Sequence, residues 1–220
     1  MQPSPKVYLD TTVLKFSATY LPRFFPRQKT ISWGGRTQQL TVHDYGYLNP
    51  NDSIRNNPTL KREAELLPRV AELAKGRRIV CMIQMETELE SWGLPNMDSR
   101  LGSFYGAPID HVEAPVRYGR IVAGGLNEDP RKAQLRFLMS LRHRRFAELQ
   151  RITGAYQGPG RIQRNQLLDA FHIWCAEHNR CDFFLSLDFK LQKVAALAKH
   201  KPFVRIVTPS ELLNAIEGCQ

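Results

Sequence analysis

Residues 6–10 (KVYLD) and residues 182–188 (DFFLSLD) decide the fold class of this chain. Each is a short apolar run that ends in an aspartate, the pattern of a buried strand with a carboxylate at its carboxyl end. A third apolar run, at residues 78–83, leads directly into a segment of helix-forming composition. Because such strands alternate with helical segments, the sequence predicts an α/β fold with a mainly parallel sheet.

Three segments between the strands have the spacing of apolar residues that is typical of helices. Residues 59–75 are the first, and a proline inside them predicts a kinked helix or two shorter ones. The second is predicted as one long helix from 129 to about 153, and the third, 163–178, surrounds Asp169 with apolar residues. Residues 208–211 (TPSE) have the pattern of a capping box at a helix start.

Two stretches rich in glycine and proline separate these segments. Residues 21–58 are predicted to form loops, with a hairpin around Gly34 and Gly35. Residues 96–127 have a similar composition and are predicted to be irregular. The last third of the chain is therefore the most regular part of the sequence.

Composition narrows the class of protein. No apolar run approaches the roughly 20 residues needed to span a bilayer, and residues 1–5 lack the features of a secretory signal. Four cysteines in 220 residues indicate no disulfide framework. We therefore expect a soluble, cytoplasmic protein with no membrane association. Its formal net charge of +10 favours a polyanionic partner, because cationic side chains release counterions from phosphates.

Four carboxylates are placed where a parallel sheet would bring them together. Asp10 and Asp188 end two strands, Glu88 lies in the helix after a third, and Asp169 lies in an apolar helix. Sites in open parallel sheets form beyond the carboxyl ends of the strands. Gathered or buried carboxylates are costly and their pKa values rise. Mg²⁺ or Mn²⁺ relieves that cost and can promote phosphodiester cleavage, so we expect a metal site.

The same residues resemble the motifs of the PIN-domain superfamily. Residues 7–14 (VYLDTTVL) resemble the opening of these domains, and residues 169–177 and 182–188 resemble their third and fourth acidic motifs. Residues 203–209 resemble the closing strand and helix of many members. The resemblance implies a three-layer α/β/α fold and a metal-dependent nuclease, most often a ribonuclease.

The resemblance also implies the roles of individual residues. Four would be catalytic metal ligands: Asp10, Glu88, Asp169 and Asp188. Three hydroxyl residues would support them: Thr11, Thr12, which stands where many members have Asn, and Ser186. Glu86 and Glu90 compete with Glu88, because these two share one face of the predicted helix and Glu88 lies away from it. Only one of the two arrangements can serve the site.

By the same resemblance, residues 1–220 form one domain with two long insertions, at about 17–77 and 91–161. These segments exceed what a minimal PIN domain needs, and substrate choice is expected to reside there. The toxin branch of the family implies an antitoxin-like protein partner, and a homodimer is also open.

Three arginines of a basic run are candidate contacts for the phosphates of RNA: Arg142, Arg144 and Arg145. A solvated helix face explains them equally well. The sequence thus predicts a metal-dependent endoribonuclease. The alternative is a catalytically silent PIN-like module that binds RNA or protein.

A zinc site is not expected at His172, Cys175, His178 and Cys181. On a helix, each step of three residues falls about 60° short of a full turn, so the first and last of these side chains point to opposite sides. A tetrahedral site needs all four to converge. Core and surface roles are therefore predicted for them.

Overall fold

The computed structural model describes residues 3–17, 21–48, 56–91, 102–119, 130–155 and 163–218. The elements follow in chain order: β1 (Lys6–Leu9), α1 (Thr11–Ser17), β2 (Leu21–Trp33), β3 (Arg36–Leu48), α2 (Pro58–Ala64), α3 (Leu67–Lys75), β4 (Val80–Ile83), α4 (Met85–Ser91), β5 (Ile109–His111), α5 (Pro130–Ser140), α6 (Arg144–Thr153), α7 (Arg164–His178), β6 (Phe183–Leu185), α8 (Phe189–Leu197), β7 (Arg205–Val207) and α9 (Pro209–Glu217).

A five-stranded parallel sheet forms the centre of the fold, in the order β5-β4-β1-β6-β7. The sequence predicted four of these strands. It missed β5, whose three residues lie in the stretch predicted to be irregular and form the edge of the sheet. The backbone continues this pairing, because the N–H of Val112 donates to the carbonyl of Ile83 at 2.8 Å. The mixed α/β class with a parallel sheet is confirmed.

Alternate side chains of the strands enter two apolar cores, one on each face of the sheet. Tyr8, Met82 and Phe184 belong to a core that α5, α6 and α7 complete. Val7, Cys81 and Leu185 belong to the opposite core, which α1, α3 and α9 complete. Helices therefore flank the sheet on both faces. The helices α3, α5 and α6 lie within the two stretches predicted as insertions, so parts of those stretches build the cores.

The predicted long helix at 129–153 is wrong, because the structure has two helices, α5 and α6, with a break at residues 141–143. His143 has an extended backbone with φ −147° and caps α6, its Nδ1 accepting from the N–H of Arg145 at 3.2 Å. Its ring stacks on Trp174 of α7 with the centroids 4.6 Å apart. A contact with a distant helix thus fixes the break. Of the two alternatives predicted for residues 59–75, a kinked helix or two shorter helices, the structure has the second, as α2 and α3.

Most of the stretch predicted as loops forms a long hairpin instead. The strands β2 and β3 pair in antiparallel register over 13 residues each, and a two-residue turn joins them. Gly34 and Gly35 make that turn with φ of 60° and 76°, as the sequence predicted. Counting from the turn, Pro22 and Pro26 fall at pairs whose N–H groups point away from the partner strand, so proline fits there.

The start of α9 has the capping contacts that its sequence predicts. Thr208 caps α9 and accepts from the N–H of Glu211 at 3.2 Å, while the Glu211 carboxylate accepts from the N–H of Thr208 at 2.9 Å. The predicted capping box is therefore confirmed.

Within the described residues, no helix has the length and apolar character needed to cross a membrane.

Candidate functional site

The centre of the candidate site is Asp10, which directly follows β1 at the carboxyl edge of the sheet. The side chain is buried, and three hydrogen bonds hold it. Its Oδ1 accepts from the N–H of Thr11 at 2.8 Å, and its Oδ2 accepts from Thr12 Oγ1 at 2.6 Å and from Ser186 Oγ at 2.7 Å. Burial raises the pKa of this carboxyl, and the hydrogen bonds from Thr12 and Ser186 oppose the rise.

Thr12 and Ser186 also join the ends of β1 and β6. Thr12 Oγ1 accepts from the N–H of Leu187 at 3.1 Å, and Ser186 Oγ accepts from the N–H of Asp188 at 3.0 Å. Each hydroxyl therefore accepts from the backbone on one side and donates to Asp10 on the other. This arrangement fixes the direction of both hydroxyl hydrogens and the orientation of the Asp10 carboxylate.

The two carboxylate oxygens of Asp188 have different environments. Its Oδ1 caps α8 and accepts from the N–H groups of Lys190 and Leu191 at 2.8 and 3.0 Å. Its Oδ2 accepts no hydrogen bond from any residue in the described part of the chain. A capping role and a ligand role are therefore compatible, because they use different oxygens.

Asp169 lies on α7 and is only partly exposed. Every other residue from Leu167 to Ala176 is buried, so the helix holds this side chain firmly in place. Burial raises the pKa of Asp169 well above its usual range, and the charges of Asp10, Asp188 and Glu90 raise it further. No described residue donates a hydrogen bond to this carboxylate or forms an ion pair with it. When ionised, the Asp169 carboxylate therefore has no compensating partner among the described residues.

The glutamate of α4 that faces this group is Glu90, while Glu88 faces elsewhere. The Glu90 side chain is 16% exposed, and its Oε2 accepts from Thr11 Oγ1 at 2.7 Å. The Glu88 side chain is 41% exposed and its Oε2 lies 3.1 Å from Nε2 of His111 on β5. Two residues along a helix are about 200° apart, so one side chain excludes the other from the same site.

Arg164, at the start of α7, connects Glu90 to a buried polar network. Its guanidinium lies 3.5 Å from Glu90 Oε1 and donates to Gln134 Oε1 on α5. Gln134 in turn donates to Oε2 of the fully buried Glu86 at 2.6 Å. Glu86 and Glu90 thus share one side of α4 as the sequence predicted, but only Glu90 reaches the acids.

The donor set of this group fits a hard divalent cation. All the donors are carboxylates, which Mg²⁺ and Mn²⁺ prefer, and Asp169 and one oxygen of Asp188 have no competing donor among the described residues. In the described ranges, no three His, Cys, Asp or Glu side chains are already arranged to hold a metal ion. The acids act on one another electrostatically without forming a closed set of ligands.

The three candidate arginines have different environments. The Arg145 side chain is 13% exposed, and its guanidinium contacts Glu177 at 2.7 and 2.8 Å and Glu148 at 3.0 Å. The Arg144 side chain is 93% exposed and lies 3.2 Å from Glu148. Arg142 is exposed and donates to the carbonyl of Met139 at 2.7 Å. Arg145 is thus engaged inside the protein, and Arg142 and Arg144 face solvent.

The residues considered for zinc do not form a site. His172, Cys175 and Cys181 are buried, whereas His178 is exposed. The two cysteines are free thiols that pack in the apolar core beside α7. His172 lies one turn beyond Asp169, with Nε2 3.4 Å from Thr87 Oγ1. Its proximity to Asp10 opposes the rise in the pKa of that carboxyl.

Sequence reasoning missed Arg164 and Gln134, and it gave His172 no role at the acidic site. Arg164 does carry a signal, because a cation at the first position of a helix opposes the helix dipole. Such an arginine needs an acidic partner nearby, and Glu90 is that partner. Gln134 and His172 carry no comparable signal, since each lies in a helical pattern that its local sequence explains.

No protein-family model matches this chain, and no curated protein matches it.

Proposed function

We propose that this protein is a PIN-like, divalent-metal-dependent nuclease, most specifically an endoribonuclease. The observation that carries the proposal is the uncompensated carboxylate of Asp169 beside Asp10, Asp188 and Glu90. A structural cluster of this kind would be expected to contain enough cations to balance its acids. Arg164 is the one cation that contacts these four acids among the described residues, and it contacts Glu90 alone.

The proposed ligands are Asp10, Asp169, Asp188 and Glu90, with Glu90 in place of Glu88. When bound, Mg²⁺ or Mn²⁺ supplies an activated water and stabilises negative charge on a phosphate oxygen. Glu90 replaces Glu88 because its side chain meets Thr11 beside Asp10, whereas Glu88 meets His111.

The protein's own groups contribute orientation. Thr12 and Ser186 hold the Asp10 carboxylate by donating to its Oδ2, and they are held in turn by the backbone after β6. Arg164 restrains Glu90 and is itself restrained by Gln134. Such outer contacts fix the direction in which ligand oxygens point, which typically changes metal affinity or activity by about 10–100-fold.

Two features support a polyanionic substrate. The net charge of +10 favours a polyanion, and Arg142 and Arg144 are exposed near α6. RNA also follows from the resemblance to PIN domains in residues 7–14 and 182–188. Charge alone does not separate RNA from DNA, so the test includes both polymers.

The test is cleavage of end-labelled single-stranded RNA and DNA by the full chain with Mn²⁺, Mg²⁺ or EDTA. We expect RNA to be cut with either metal and not with EDTA. Asp10→Asn and Asp188→Asn should lose cleavage, because each removes a ligand charge. The matched control is Asp110→Asn on β5, an exposed aspartate outside the site, which should retain it.

Two results would contradict the proposal. Cleavage that persists in EDTA, or in both ligand variants, would place the reaction elsewhere. No cleavage by protein at amounts near those of the substrate would instead favour the silent binding module. That second candidate is consistent with the acids not being arranged as a closed set of metal ligands.

A further inference from the structure

A groove of about 530 Å³ lies on the outer side of the helical layer, where α5 ends and α6 and α7 meet. Its lining includes three arginines, Arg142, Arg144 and Arg151, and the apolar residues Leu141 and Leu167. None of the described residues that line it is acidic. The groove is therefore a cationic channel with a partly apolar lining.

The positive charge of this groove is largely unbalanced. Arg151 forms no ion pair with any residue that the structure describes, and within the same residues Arg142 donates to backbone carbonyls alone. Arg144 has Glu148 as its partner, but Glu148 also contacts Arg145. The lining thus offers at least two cations to an external anion.

We propose that this groove binds the backbone of single-stranded RNA. Arginine side chains at the rim pair with phosphates, and the apolar lining at Leu141 and Met139 contacts unpaired bases. A duplex fits this lining less well, because its bases are stacked inside and cannot reach apolar side chains. The groove is a separate surface from the acids and adds Arg151 to the arginines noted in the sequence.

The groove and the acidic site lie on different sides of α7. Leu167 lines the groove and Asp169 belongs to the acidic site, and two residues on a helix are about 200° apart. The inference deepens the proposed nuclease function and rests on it only for the fate of the bound RNA.

The experiment measures binding in EDTA, so it does not depend on cleavage. Anisotropy of a labelled 12-nucleotide single-stranded RNA is recorded with the full chain over a range of KCl concentrations. For single strands, log K changes with log salt by a slope of about −0.7 per phosphate contact. Arg142→Gln and Arg151→Gln should each reduce the slope by about 0.7, and the double variant by about 1.4.

Two further variants separate a groove effect from a general loss of charge. Arg62→Gln removes an exposed arginine of α2, which packs with the core on the opposite face of the sheet, and should leave the slope unchanged. Gln150→Glu adds a carboxylate to the groove lining and should weaken binding without removing an arginine. Circular dichroism checks that each variant is folded.

The outcomes distinguish this inference from the proposed function. Equal slopes for the groove variants and Arg62→Gln, or no RNA binding by the wild type, would overturn the groove. Equal affinity for a duplex of the same length would overturn the single-strand assignment, and equal competition by an acidic peptide of the same charge would overturn RNA as the occupant. Groove-dependent binding without any metal-dependent cleavage would uphold the groove and contradict the nuclease.

Discussion

The two ends of α7 carry charge clusters that differ in whether each charge has a partner. Near its carboxyl end, the Arg145 guanidinium contacts Glu177 at 2.7 and 2.8 Å and Glu148 at 3.0 Å. The same guanidinium lies 3.9 Å from the centre of the Phe203 ring. Every charge in this cluster has a partner with good geometry. Its chemistry is explained by packing and pairing alone.

Near the amino end of α7, the acidic site gathers four carboxylates and, among the described residues, a single arginine. Burial and the neighbouring acids raise the pKa of Asp169 well above its usual range, and no described donor offsets this. A fold that needed only stability would neutralise such a group. We infer from this comparison that the uncompensated cluster is a functional site, whereas the compensated cluster stabilises the fold.

The largest effect is expected for Asp169→Asn. Losing one ligand of a metal site removes several kcal/mol of transition-state stabilisation, so RNA cleavage should fall by on the order of 10³-fold. The metal-free protein should gain stability, because the substitution removes an uncompensated charge from the partly buried site. Single-turnover cleavage and urea unfolding in EDTA measure the two effects.

A structural aspartate would behave in the opposite way. If Asp169→Asn unfolded at lower urea than the wild type and retained cleavage, the acidic site would be a packing feature. The comparison between the two clusters would then fail.

The next effect is on stability and concerns the compensated cluster. Arg145→Met leaves Glu177 buried without its cation, and breaking a buried pair in this way costs about 3 kcal/mol. Urea unfolding should show that loss, while cleavage per folded molecule stays unchanged. Arg144→Met is the matched control, since its exposed side chain shares only Glu148 and should barely change the urea midpoint. A normal midpoint for Arg145→Met would show that the cluster is not structural.

The smallest effect is a pH dependence of the metal-free protein. A carboxyl whose pKa is raised on folding stabilises the protein fully below its unfolded pKa of about 3.9, and this contribution is lost as pH rises through the folded value. Burial raises the pKa values of both Asp10 and Asp169. The wild type should therefore lose stability relative to Asp169→Asn as pH rises from 4 towards neutral.

Urea midpoints measured in EDTA at several pH values check this dependence. Saturating Mn²⁺ should reverse it, because the cation replaces the proton that the acids would otherwise bind. A difference between wild type and Asp169→Asn that does not vary with pH would contradict the raised pKa of Asp169.

The sequence predicted the parts of the site that local patterns determine. Asp10 and Asp188 follow strands whose apolar runs are visible in the chain, and parallel pairing brings those ends together. The resemblance favours Glu88, whereas in the structure it is Glu90 that contacts Thr11 beside Asp10. Helical periodicity gives the faces of α4 but not which face meets the sheet edge. That choice depends on contacts with Thr11 and Arg164, which lie far away in the sequence.

The remaining differences in the fold have the same origin. The break between α5 and α6 contains no glycine or proline, and it depends on His143 packing against Trp174. In the hairpin, Pro22 and Pro26 indicated loops, yet both fall where a strand needs no donor. The helix break is decided by a tertiary contact, and the place of the prolines is decided by the hydrogen-bonding register of the hairpin. A short window of sequence reveals neither.

The most direct test of the account is calorimetric titration of the full chain with Mn²⁺ at neutral pH. We expect the wild type to bind Mn²⁺, Glu90→Gln to bind at least about tenfold more weakly, and the matched variant Glu88→Gln to bind like the wild type. An absence of binding by the wild type would contradict the central claim that the uncompensated acids form a metal site. Weakening by Glu88→Gln with no effect of Glu90→Gln would contradict the arrangement of ligands proposed for it.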